Sequence, residues 1–91
     1  MPITIIIPTA LKQYANEHTS LTVEAQTVGA ALDHFTRQFP ELRRHLYTDD
    51  NRLRSFVNIY LNDEDIRHTN GSDTVTNNGD TIMIVPAIAG G

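Results

Sequence analysis

The sequence contains no cysteine. The chain can therefore form no disulfide, carries no thiolate nucleophile and offers no cysteine ligand to a metal ion. Histidine is present at positions 18, 34, 45 and 68, but these residues do not show the spacing of a metal-binding pair. The sequence therefore favours surface histidines over a metal site.

Positive charge is also scarce. The chain has seven Lys and Arg residues against eleven Asp and Glu, which gives a formal net charge of -4, and Lys12 is its only lysine. Proteins bind phosphate backbones mainly through clustered cations, whereas these seven are spread along the sequence. The composition therefore argues against a nucleic-acid partner.

Length limits what the chain can enclose. A chain of 91 residues fits one domain with one modest core, which leaves little room for a deep cavity holding both a cofactor and a substrate. The apolar run at residues 3–7 lies between Pro2 and Pro8, follows no cationic segment and is too short for a signal core. We interpret that run as a strand, and we expect a cytoplasmic protein that does not act at a membrane.

Apolar periodicity predicts one main helix. Thr27 is placed to cap it and Pro40 to end it. Its apolar stripe consists of Val28, Ala31, Leu32, Phe35 and Phe39. Gly29 lies in the helix start without the partners of a phosphate loop, so we interpret it as a site of close packing. A short helical turn is expected around Leu42 and Leu46.

Runs of β-forming residues predict strands on both sides of this helix. They lie at residues 3–7, 21–25, 56–62 and 81–85, with a further short strand at Ile66. Turn-forming residues occupy positions 62–65 and 77–80. We assign the carboxylates at positions 63–65 to the first of these turns and not to a catalytic or metal cluster. The predicted order of two strands, a helix and three strands indicates an α+β domain.

The last six residues break this pattern. Residues 1–85 predict the folded domain, whereas residues 86–91 begin with proline, show no return to the core and end in Gly90 and Gly91. We expect this segment to be a flexible tail. Glycine has no Cβ, so the end can thread a narrow channel. There its carboxylate could attack the α-phosphate of ATP and form an acyl-adenylate.

The element order and this ending resemble ubiquitin and, more closely, the sulfur carriers of the ThiS/MoaD family. Residues 79–82 leading into the Val-Pro-Ala-Ile-Ala-Gly-Gly terminus are similar to that family's ending. The stretch Phe-Val-Asn-Ile-Tyr-Leu-Asn-Asp-Glu-Asp-Ile-Arg at residues 56–67 resembles the branch that supplies sulfur to a phosphoserine-dependent cysteine synthase. The chain departs from the family in the polar loop at residues 48–52 and at Ile88, where a smaller valine is expected.

The resemblance implies a β-grasp fold, in which one helix crosses a mixed sheet and the first and last strands are parallel neighbours. It also implies that an E1-like enzyme uses ATP to adenylate Gly91, which then becomes a thiocarboxylate. Gly90, Ala89, Ile88 and Ala87 would thread the partner's active site. The implied acceptor is held by a cysteine synthase that depends on pyridoxal phosphate, and a metal-dependent protease releases the product. The chain itself would be no enzyme and would bind no cofactor.

Strand alternation predicts a docking face. If residues 3, 5, 7, 57, 59, 61, 82 and 84 face the helix, Ile6, Tyr60, Met83 and Val85 lie on the opposite face of the sheet. We expect this apolar face, next to the tail, to dock the activating enzyme.

Other functions remain open at this point. A thiamin or molybdopterin sulfur carrier would use the same terminus. So would a ubiquitin-like modifier joined to lysines of target proteins, although Lys12 alone could extend a polymer of this chain. A plain binding module would not need its tail.

Overall fold

The computed structural model describes residues 2–86, and Met1 and residues 87–91 lie outside this range. Its sheet contains β1 (Pro2–Ile6), β2 (Ser20–Glu24), β3 (Val57–Leu61), β4 (Glu64–Asp65) and β5 (Thr81–Pro86). The strand order is β2-β1-β5-β3-β4. β1 runs parallel to β5, and the other neighbouring strands are antiparallel. The sheet is thus mixed and its first and last strands are neighbours, which confirms the expected α+β fold of the β-grasp type.

The main helix, α1 (Val28–Gln38), forms as its sequence predicts. The Thr27 hydroxyl accepts a hydrogen bond of 3.1 Å from the backbone N–H of Ala30, so an otherwise unpaired donor of the first turn is satisfied. All five residues of the predicted apolar stripe are buried. Within residues 2–86, none of the helices has the length and apolar character needed to cross a membrane.

The segment after α1 also folds as expected. Pro40 begins a 3₁₀ turn, Pro40–Leu42, which continues into the short helix α2 (Arg43–Leu46). Leu42 and Leu46 are fully buried. This second helical layer therefore adds to the core and does not merely connect α1 to the sheet.

The core lies between the sheet and these helices. The inward strand positions that alternation predicts are buried at Ile3, Ile5, Ile7, Val57, Ile59, Ile82 and Ile84, and Leu61 is half-buried. Full burial of one such side chain stabilises a fold by about 1.5–3 kcal/mol. The inward face therefore supplies much of the stability, and the outward face is left for other uses.

The connection between β1 and β2 contains an element that the sequence pattern does not indicate. Residues Thr9–Tyr14 form a 3₁₀ helix that buries Leu11. A 3₁₀ helix this short shows too few residues for a periodic signal to stand out.

The two strands after β3 also differ from their predicted bounds. The short strand expected at Ile66 is Glu64–Asp65, because Asn62 and Asp63 adopt positive φ angles and form a tight turn after which pairing resumes at once. Ile66 instead begins a 3₁₀ turn. β5 includes Pro86, which the sequence assigns to the tail. β1 pairs only with residues 81–83, so β5 has one open side at Pro86, and an open strand edge tolerates proline.

The contribution of the N-cap of α1 to stability can be tested by substitution. Replacing Thr27 by Ala removes the oxygen that accepts from Ala30, so we expect the free energy of unfolding to fall by about 1 kcal/mol. Thr27→Ser keeps that oxygen and should cost much less. Urea denaturation of both variants checks the prediction. Equal stability of the two variants would show that the cap contributes nothing.

Candidate functional site

The outward face of the sheet carries an apolar patch, which we call the open face and define as Ile6, Tyr60, Met83 and Val85. Met83 lies between Ile6 on β1 and Tyr60 on β3, and Val85 lies two residues further along β5. Met83 is 40% exposed and Val85 39% exposed, while Ile6 and Tyr60 are half-buried. The structure therefore confirms the predicted placement of these side chains on the face away from the helix.

This patch leads directly to the end of the described chain. A shallow apolar hollow of about 370 Å³ is lined by Ile6, Pro8, Ala10, Met83, Ile84, Val85 and Pro86. Tyr60 stands outside the hollow, on the β3 side of Met83. Because β5 ends at Pro86, we call this end of the sheet, where β5, the start of β3 and the end of β1 meet, the tail end. The predicted tail therefore begins at Pro86, which is also the last residue that lines the apolar hollow.

The predicted reactive residues lie outside the described residues. Gly91, Gly90, Ala89, Ile88 and Ala87 all belong to the segment 87–91. Covalent geometry alone limits where they can reach, since five residues extend at most about 18 Å. Any group that reacts with the Gly91 carboxylate must therefore come within about that distance of Pro86.

A groove of about 720 Å³ opens beside β3, and its lining includes Tyr47, Arg52, Ser55 and Arg67. No Asp, Glu or His lines it among the residues that the structure describes. Burial raises the pKa of the Tyr47 phenol, which therefore stays protonated at neutral pH. The groove thus has no general base, and the phenol is not activated as a nucleophile.

Three other residues considered as candidates, His18, Asp63 and Gly29, have roles in the local fold. His18 lies with Nδ1 2.8 Å from the carbonyl oxygen of Ala15. Asp63 lies in the β3–β4 turn with a φ of 74°, as the assignment to a turn predicts. A Cβ added at Gly29 would lie 3.0 Å from the carbonyl oxygen of Ser72, which confirms close packing there. Across residues 2–86 the acidic and histidine side chains form no group of three that could hold a metal.

One feature of the tail end was missed by sequence analysis. The backbone N–H of Val57 donates to the carbonyl of Arg54 at 3.0 Å, which closes a turn at residues 54–57. Phe56 lies in this turn and is 63% exposed, although its sequence pattern places it in a strand. The only available signal was the neighbouring Ser55, a residue that favours turns.

The fold and the open face together define a small ubiquitin-like protein. The model of the ThiS family matches residues 5–91. The chain belongs to this family, which confirms the resemblance drawn from the sequence.

Full-length relatives agree. The chain is 34% identical over 93 aligned residues to the sulfur carrier protein CysO of Mycobacterium tuberculosis, and the match covers 100% of both chains. It is also similar to a chain in the crystal structure of the Amycolatopsis orientalis BexX/CysO complex, at 32% identity and a TM-score of 0.88, covering 98% of this chain and 99% of that one. The crystal structure of SAMP1 from Haloferax volcanii, at 24% identity, a TM-score of 0.87 and full coverage of both chains, supports the fold alone. Because the full-length sequence relatives are carrier proteins, the interpretation as a carrier and not an enzyme is confirmed.

The surroundings of His45 predict a pH effect. Its ring stacks on that of Tyr14 with 4.1 Å between centroids, and its pKa is lowered from 6.5 by burial and then by Arg44 and Arg54. The unfolded chain therefore binds the proton more readily than the folded chain. This residue makes no pH-dependent contribution above about pH 6.5, and it destabilises the fold progressively as the pH falls below that value towards the lower folded pKa.

We expect His45→Gln to remove this acid-dependent loss. Measurements of the free energy of unfolding from pH 7.5 to 5, taken at about half-unit steps, should show a smaller decline in the variant than in the wild type. Parallel pH profiles for the two proteins would show that His45 does not contribute in this way.

Proposed function

We propose that this protein is a sulfur carrier whose C-terminal carboxylate is adenylated by an E1-like enzyme and converted to a thiocarboxylate. The observation that carries the proposal is the open face, whose apolar surface on β5 continues to Pro86, five residues before the Gly91 carboxylate. Membership of the ThiS family and the full-length match to sulfur carrier proteins support it.

The chemistry requires little of the chain itself. A carboxylate oxygen of Gly91 attacks the α-phosphate of ATP, a new O–P bond forms and pyrophosphate leaves. Hydrosulfide, or another nucleophile at the sulfide oxidation level, then attacks the acyl carbon, so a C–S bond forms, the bond to AMP breaks, and loss of the sulfur proton leaves a thiocarboxylate. Gly90 and Gly91 have no Cβ, so the enzyme can surround the reacting carbonyl closely.

The same terminus would then donate its sulfur. The resemblance of residues 56–67 to the cysteine branch makes a cysteine synthase that depends on pyridoxal phosphate the acceptor enzyme we propose. A metal-dependent protease would then cut the new amino acid from the carrier. ATP, pyridoxal phosphate and the metal all belong to these partner enzymes in this scheme.

The open face has a separate proposed role, which is to dock the activating enzyme. Met83 and Val85 are exposed, whereas Ile82 and Ile84 of the same strand are buried. Covering these side chains with an apolar surface of the partner would favour binding. A partner bound there would be correctly placed to receive the tail that starts at Pro86.

Intact mass spectrometry of the protein purified from its native host tests the proposed chemistry. We expect a species heavier by the replacement of one oxygen with sulfur, and its loss when Gly91 is deleted. Isopeptide-linked conjugates without the sulfur species would instead identify a protein modifier. If deletion of Gly91 changed neither the mass state nor the growth of the host, the carrier proposal would be wrong.

Substitution on the open face tests docking. Met83→Asp places a carboxylate at the centre of the apolar patch, so we expect adenylation of Gly91 to slow by at least about tenfold through a higher KM. Thr22→Asp is a matched control, because Thr22 pairs with Thr4 and lies exposed on the same face, away from the hollow. Rates of ATP–pyrophosphate exchange measure the effect. Similar KM values for the two variants would contradict docking through this face.

A further inference from the structure

The turn at residues 54–57 exposes a large aromatic side chain. Phe56 is 63% exposed. Small or polar residues usually occupy turns, and burying a Phe would stabilise the fold by about 1.5–3 kcal/mol. Within the described residues, Phe56 belongs neither to the buried core nor to the partly buried apolar side chains packed against it. Val75 is equally exposed, but it lies near Thr27, beyond the opposite end of the sheet.

Arg67 holds the turn by hydrogen bonds, and Arg54 is the first residue of the turn. The Arg67 guanidinium donates to the carbonyls of Ser55 at 2.9 Å and Val57 at 3.0 Å, and to Oδ1 of Asn58 at 2.6 Å. Arg54 Nε donates to the carbonyl of Arg44 at 2.9 Å. All of these acceptors are neutral. The cations are thus fixed in place while their positive charge is not neutralised by a carboxylate among the hydrogen-bond partners.

This turn lies at the tail end of the sheet. Val57, the last residue of the turn, is paired with Pro86, the last described residue of β5. The acidic side chains of Glu24, Asp63, Glu64 and Asp80 lie at the opposite end of the strands. Asp65 lies closer, since its Oδ1 accepts from the backbone N–H of Arg67 at 2.8 Å, and Glu41 and Asp49 line a groove that also contains Arg54. Although the chain has a net charge of -4, the turn that carries the exposed Phe56 ring therefore has the Arg67 guanidinium against it and includes Arg54.

We propose that Phe56, Arg54 and Arg67 form a second docking surface, which binds an apolar pocket bordered by carboxylates on the activating enzyme. An aromatic side chain flanked by arginines is the composition typical of binding hot spots. The partner is assigned to the activating enzyme by reach: an active site holding Gly91 must lie within about 18 Å of Pro86, so that enzyme must cover the tail end. This inference rests on the proposed adenylation of Gly91.

The charge arrangement assigns separate roles to the two kinds of side chain. Phe56 would contribute affinity because its ring leaves water when it enters the apolar pocket of the partner. Truncating the side chain would lose that buried contact. Arg54 and Arg67 would steer an acidic surface towards the tail end, and this steering weakens as ionic strength rises.

Carrier-dependent ATP–pyrophosphate exchange by the activating enzyme of the same organism tests the surface. We expect Phe56→Ala to raise the KM for the carrier by about tenfold or more without changing kcat, because the reacting carboxylate is untouched. Val75→Ala removes an equally exposed apolar side chain at the other end and should leave KM unchanged. Thermal melting of both variants checks that they are folded.

A salt series provides a second, independent readout. Raising ionic strength should lower kcat/KM for the wild type, and the double variant Arg54→Gln/Arg67→Gln should flatten that dependence. Arg37→Gln is the control, because Arg37 lies on α1 and pairs with Asp33; it should keep the wild-type salt dependence.

The outcomes separate the two proposals. If wild-type protein supports exchange but Phe56→Ala matches Val75→Ala, the second docking surface is wrong and the carrier function stands. The same conclusion follows if the arginine variant keeps the full salt dependence. If wild-type protein supports no exchange at all, the proposed adenylation fails and this surface fails with it.

Discussion

The register of β5 between β1 and β3 is the constraint on which the rest of the structure depends. Because β5 is flanked on both sides, its alternation assigns Ile82 and Ile84 to the core and Met83 and Val85 to the open face. A slip of one residue would exchange these two sets. The same strand would then bury the side chains that we propose for docking and expose those of its core, so the fold and the proposed docking would be lost together.

Polar contacts hold this register at the end of the sheet away from the tail. The side chain of Asn62 donates to Asp80 Oδ1 at 2.8 Å and accepts from the backbone N–H of Thr81 at 2.9 Å. The backbone N–H of Thr4 donates to the Asp80 carbonyl at 3.0 Å. These bonds fix where β5 begins relative to both neighbours. Side chains at the tail end are therefore not needed to fix the register of β5, and they are available for recognition.

Periodic features of the sequence were predictable because burial on one face repeats along an element. The stripe of α1 and the alternation of β3 and β5 are such cases, and both were predicted residue by residue. The 3₁₀ helix containing Leu11 was missed because its polar residues give no repeat. The surroundings of Phe56 were missed for a different reason. Arg67 contacts the carbonyls of Ser55 and Val57 from ten to twelve residues away, and local pattern carries no information about such a contact.

The short distance from Pro86 to Gly91 restricts how the proposed partners can act. The described domain measures 34 × 28 × 23 Å, whereas the five residues after Pro86 extend at most about 18 Å. Enzymes that take up Gly91 must therefore approach the same end of the molecule, and in the proposed scheme the activating enzyme and the acceptor enzyme cannot hold it at once. The carrier has to leave one before it reaches the other. The proposed steering by Arg54 and Arg67 suits this requirement, because long-range charge raises the association rate without adding the buried contacts that would slow release.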